Sequence, residues 1–119
     1  MPSKGEHLTK ADNNRRFADG LGVASPTSIG WAITALFYSA LHYIEAYNAK
    51  FNTHFRKHEL LNQDIERNPI LNPIWEDYRD LSEFSWNARY NYVNYGKTEL
   101  DEAKQCLESV RALVSGLLP

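Results

Sequence analysis

Three groups of residues carry side chains able to do chemistry, and in each group the spacing suggests a shared surface. The stretch "SEFSWNARYNYVNYG", residues 82–96, sets Arg89 among Tyr90, Tyr92 and Tyr95, with Asn87, Asn91 and Asn94 at steps of four and three. On a helix that spacing aligns the asparagines on one face. Arg89, three residues before Tyr92, can fork onto a phosphate or carboxylate, while tyrosine and asparagine stack on and hydrogen-bond to nucleobases. The same residues can instead serve packing, with hydroxyls at the rim and Arg89 lying along the rings.

The second group is Thr34, Tyr38, His42 and Glu45, at steps of four, four and three on an otherwise apolar stretch. A polar stripe there must be satisfied by a buried network, a dimer seam or a ligand in a cleft. The third group, "THFRKHE" (53–59), places His54 and His58 one turn apart. Two such histidines need at least one more ligand to hold zinc, and Phe55 stands where a metalloprotease helix keeps its glutamate. The expectation here is therefore exposed histidines beside Arg56 and Lys57, with no metal and no cofactor. Cys106 has no nearby histidine, and "DGLGVASP" (19–26) is not a phosphate loop, so neither a nucleophilic triad nor a P-loop is present.

These groups need helices to position them. Breakers and caps divide the 119 residues into five helical stretches of one domain, 1–119. A weak one spans about 7–20, with Leu8, Ala11, Phe17 and Ala18 apolar. A long one opens at Ser25–Pro26 and runs to about Phe51, its positions Trp31, Ile33, Phe37, Ala40, Leu41, Ile44, Tyr47 and Phe51 marking it as the middle of a bundle. A third covers about 56–67, with Leu60, Leu61 and Ile65 inward. The fourth starts at the Asn72–Pro73 cap and spans about 73–94 with Gly96 as its stop, burying Ile74, Tyr78, Leu81, Ser85, Ala88 and Tyr92. The fifth begins with Thr98 and Asp101 as a capping pair and carries Leu100, Ala103, Leu107, Val110, Leu113 and Leu117 to about Gly116. No period-2 segment exists, so the fold class is all-α, an up-and-down antiparallel bundle of four to five helices.

Composition narrows the function classes. A net charge of −2 gives no global footprint for nucleic acid, although residues 50–58 form a local basic corner. A single cysteine excludes an internal disulfide and fits a reducing compartment. The start "MPSKGEHLTKADNNRR" has no apolar signal region, and the run Trp31 to Ile44 is too short to span a bilayer. The expectation is a cytoplasmic protein with no membrane partner.

The segments "WAITALFYSALHYIEAYNAK" (31–50), "THFRKHELL" (53–61) and "YRDLSEFSWNARY" (78–90) together resemble the small HEPN-domain proteins of prokaryotes, across roughly residues 7–115. The resemblance implies a compact helical bundle that dimerises across a shared cleft. It also implies either a metal-independent ribonuclease, often a toxin in defence systems, or an inactive member that binds nucleotides or supports a partner. The nucleases of that family carry arginine, then histidine after four to six residues. Arg89 matches the arginine, but Asn94, Tyr95 and Gly96 occupy the histidine positions. Transfer of the 2′-hydroxyl proton needs a group that titrates near neutrality, which asparagine is not.

The leading expectation is thus a HEPN-like homodimer without the ribonuclease pair. It would bind nucleotide or RNA, or serve a partner such as a nucleotidyltransferase antitoxin, through Arg89, Tyr92, Asn94 and Tyr95, with His42, Glu45, Arg56 and His58 behind them. The alternative is a metal-independent ribonuclease in which Arg89 works with His42 or His58. A structural interaction subunit is the third possibility.

Overall fold

A computed structural model describes residues 2–21, 23 and 25–118. The helices are α1 (Lys4–Gly20), α2 (Pro26–Ala49), α3 (His58–Arg67), α4 (Trp75–Tyr90) and α5 (Lys97–Leu117), with a 3₁₀ turn at Asn72–Ile74 before α4. No strand occurs among the described residues, and none of their helices is long and apolar enough to cross a membrane. The bundle is elongated, 41 × 24 × 23 Å, because α2 alone, at 1.5 Å per residue, runs about 36 Å along it.

The axis of the fold is α2, which packs against α1, α4 and α5. Ser25 caps it through a bond from the Ser28 amide, and Pro26 occupies its first turn. Ile33, Leu36, Phe37, Ala40, Leu41, Ile44 and Tyr47 are buried from it into one hydrophobic cluster with Ile65, Leu81, Leu107 and Val110. Trp31 and Phe51, expected inward, are exposed, as are Phe17 and Leu60. Phe51 lies beyond the helix end and meets Tyr47 edge-on under the Lys50 ammonium.

Three boundaries differ from the sequence reading, each for a local reason. Helix α1 starts earlier because Ser3 and Glu6 form a reciprocal capping box. Asn72 does not cap α4; its amide donates to the Glu66 carbonyl and closes the end of α3. Helix α4 stops at Tyr90 rather than near Asn94. Gly96 is therefore not its stop but the N-cap of α5, where the Glu99 carboxylate accepts the Gly96 amide. The expected Thr98–Asp101 pair does not form; Asp101 bonds Lys97 instead. Gly22 and Ala24 of the stretch closing α1 lie outside the described residues.

The end of α2 has a particular geometry. The Thr53 amide reaches back to the Asn48 carbonyl and the Asn52 amide to that of Ala49, with Asn52 left-handed at φ 55°. This is the Schellman arrangement, in which asparagine tolerates the left-handed position. It turns the chain back on itself just before His54.

Candidate functional site

The stripe on α2 is real, and each of its members is engaged. Thr34 donates to the Gly30 carbonyl, spending its hydroxyl within its own helix. The Tyr38 hydroxyl accepts from Arg89 Nη1 at 3.3 Å, while Arg89 Nε donates to the Ser85 carbonyl one turn back. The guanidinium also lies 5.0 Å from the Tyr90 ring and 5.7 Å from the Tyr38 ring. Arg89 is therefore held by α2, as well as by its own helix, with donors left over.

Beside Arg89, between the start of α2 and the end of α4, lies a cavity of about 450 Å³ bordered by Trp31, Thr34, Tyr90, Tyr92 and Asn94. The helices approach closely here: a Cβ on Gly30 would stand 3.6 Å from that of Ala88. Three of the four binding residues named from the sequence, Arg89, Tyr92 and Asn94, thus line one cavity. The route differs from the expected helical face, because residues 91–95 are not helical. Asn91 donates to Asn87 Oδ1 at 2.7 Å, Asn87 Nδ2 bonds the Tyr95 hydroxyl, and the Tyr95 ring meets Phe84 edge-on at 5.2 Å. This clasp folds the segment over the last turn of α4. Tyr95 belongs to the clasp and does not line the cavity.

Tyr92 is unusual twice over. Its φ is 56°, a left-handed conformation costly for a bulky residue, and it is 96% exposed, so no packing repays the strain. Trp31, Tyr90 and Trp86 are also more than half exposed, and the Trp86 and Tyr90 rings sit 4.6 Å apart. Aromatic surface thus crowds the rim of the cavity that Arg89 enters.

The lower half of the stripe makes a second cluster, which sequence reasoning missed because His7 comes from α1. His7, only 3% exposed, brings Nδ1 to 3.1 Å from His42 Nδ1 and 3.2 Å from Glu45 Oε2. His42 Nδ1 is itself 3.9 Å from the same carboxylate oxygen. Burial first, then the neighbouring His7 and Lys10 charges, holds His42 down at about 4, so its ring is neutral at pH 7. The Tyr78 hydroxyl, 1% exposed, has no hydrogen-bond partner; burial and then the charges of Glu45 and Tyr38 push its ionisation upward. No spacing in the sequence signals a partner 35 residues away; only the packing of α1 on α2 brings His7 in.

The remaining second-tier residues lie apart. Arg56 is exposed, with no hydrogen bond or ion pair among the described residues, and His58 opens α3 with its ring edge-on to Phe37. The contacts of Arg89 are Tyr38, Ser85 and Tyr90, not a histidine.

Fold and site together define a class: an all-α bundle whose central helix carries a polar stripe, with an arginine-bearing aromatic cavity at one end and a histidine–glutamate cluster toward the other. No protein-family model, curated protein or solved structure matches this chain.

Proposed function

We propose that this protein binds a nucleotide or a short single-stranded RNA segment in the groove between α2 and the end of α4. Bases would stack on the exposed aromatics and a phosphate would meet Arg89. The observation that carries this reading is Tyr92, held strained and almost wholly exposed at the rim of the cavity that Arg89 enters. Strain of that kind persists where function uses it, and a bare aromatic ring is a stacking platform. Asn94, on the same rim, supplies hydrogen bonds to a base edge.

A net charge of −2 fits a site that grips few nucleotides by stacking rather than a long backbone track. For one phosphate contact to a single strand, log K against log salt should fall with a slope of only about −0.7. The HEPN-like assignment, the cytoplasmic setting and a role in a toxin–antitoxin or defence pair with a partner such as a nucleotidyltransferase belong to the same proposal. The ribonuclease alternative draws less support, because burial, which holds His42 down at about 4, makes its ring a weak base, and the ring is engaged by His7 and Glu45.

The test is quenching of tryptophan fluorescence by short oligoadenylate and by mononucleotide, with RNA integrity followed in EDTA. Trp31→Ala and Tyr92→Ala should each weaken binding roughly tenfold or more, since stacking on one base is worth about 1–3 kcal/mol. If no nucleotide binds the parent protein, the proposal is wrong. RNA cleavage that disappears in His58→Ala would restore the nuclease reading.

The aromatic face also supports a second reading, a homodimer that covers Trp86, Tyr90 and Trp31 and sets two copies of Arg89 about one groove. Sedimentation of the parent protein and of Trp86→Ala decides it: a monomer in both rejects the dimer.

A further inference from the structure

We propose that His7, Glu45 and His54 form a binding site for one divalent transition-metal ion of the zinc class, separate from the aromatic cavity. The geometry is that of a coordination shell. Zinc–nitrogen bonds of about 2.0–2.1 Å in a tetrahedron put neighbouring donor atoms about 3.3 Å apart. His7 Nδ1 and Glu45 Oε2 stand 3.2 Å apart, the spacing of two such donors. His54 brings a ring nitrogen within 4.8 Å of the donor atoms of His7 and Glu45 and completes a set of three. The third ligand that the His54–His58 spacing lacked thus comes from distant segments, while His58 takes no part.

Hydrogen bonding alone satisfies this cluster poorly. At most one proton sits on His7 Nδ1, yet both the Glu45 carboxylate and His42 Nδ1 face it at nearly equal distance. A cation would engage the His7 and Glu45 lone pairs at once.

One imidazole on a helix, a second on a loop and one carboxylate make a donor set that zinc, cobalt or nickel takes with a position left open, whereas magnesium and calcium ask for oxygen. The Schellman turn at Asn52 is what returns the chain so that His54 can join. The site would pin α1 and the segment after α2 to the central helix.

The experiment is calorimetric titration of the tag-free, EDTA-stripped full chain with Zn²⁺, paired with the visible absorption of Co²⁺ in the same site. One ion per chain and ligand-field bands of a low-coordinate cobalt centre are expected. His54→Ala removes an exposed loop side chain with little risk to the fold. It and Glu45→Gln should each weaken Zn²⁺ binding by more than the roughly 10–100-fold that losing an outer hydrogen bond costs. His58→Ala, which keeps all three donors, should bind as the parent does. Failure of the parent to bind one Zn²⁺ per chain would overturn the proposal, and so would equal losses in His54→Ala and His58→Ala. A Zn²⁺-induced rise in melting temperature that survives in His54→Ala would overturn the role given to His54.

Discussion

Arg89→Met separates the charge of this residue from its bulk, because methionine keeps a flexible apolar stem in place of the aliphatic part of arginine. The structure sets the size of the effect. Two hydrogen bonds are lost, to the Tyr38 hydroxyl and the Ser85 carbonyl, and both are long at 3.3 Å, so each contributes about 0.5 kcal/mol, the lower end of the usual range. Cation–π contacts to Tyr90 and Tyr38 add about 0.5 kcal/mol each for a partly exposed group. These terms overlap, so about 1–2 kcal/mol is expected, which lowers the melting temperature of a domain this size by about 3–8 °C. Binding should suffer more: a hydrogen bond to a charged group is worth about 1.5–3 kcal/mol, or a loss of roughly 10–100-fold in affinity for oligoadenylate. Thermal unfolding by circular dichroism and the fluorescence titration read the two quantities on the same sample. A variant that melts several degrees lower yet binds within threefold of the parent, about 0.7 kcal/mol, would refute the phosphate role and leave Arg89 as a strut between α2 and α4.

The other expected outcomes touch different parts of the molecule. Tyr92→Gly should raise stability by about 0.5–1 kcal/mol, since glycine adopts the left-handed backbone freely, while weakening nucleotide binding; a lower melting temperature would show that the ring packs after all. Ser39→Ala removes the 2.7 Å bond from the buried Ser39 hydroxyl to the Ala11 carbonyl and should cost about 1 kcal/mol, read as a lower urea midpoint with an unchanged slope. The Cys106 thiol is pushed up to about 12, first by burial and then by Asp77 and Asp80, so the neutral form dominates far above the usual range near 8.5. Its alkylation at pH 8 should run at least a hundredfold slower than that of a free thiol, rising tenfold per pH unit without levelling up to about pH 10. A plateau near pH 9 would contradict the assigned environment.

Much of this fold was legible in residue order, and the reasons are local. The Ser25–Pro26 start, the nearly all-round apolar surface of α2 and the stripe of α5 are written in neighbouring positions, and the helices formed there. The Ser3–Glu6 capping box is equally local, written three residues apart. The end of α4 was another matter. Asparagines and tyrosines at helical spacing looked continuous, but their side chains bond one another more readily than they line a face, and Tyr92 turns left-handed. The cavity residues Arg89, Tyr92 and Asn94 therefore came together although the helix expected to carry them stops short. His7 was beyond reach, since its meeting with His42 and Glu45 depends on how α1 lies against α2.

The backbone of α1 comes close to α2 and to no other helix. It buries mainly small residues there, Ala11 and Ala18, and is otherwise fastened by the Ser39 hydroxyl and by His7. Such an element opens on its own before the rest of the domain unfolds, as a separate cooperative unit. Its amides should exchange with deuterium faster than those of α2, and proteases should nick the chain near it first. The fastening through His7 joins that opening to the proposed metal site: filling the site should slow exchange along α1, and loosening α1 should empty it. The first helix is thereby a reporter on the cluster's occupancy.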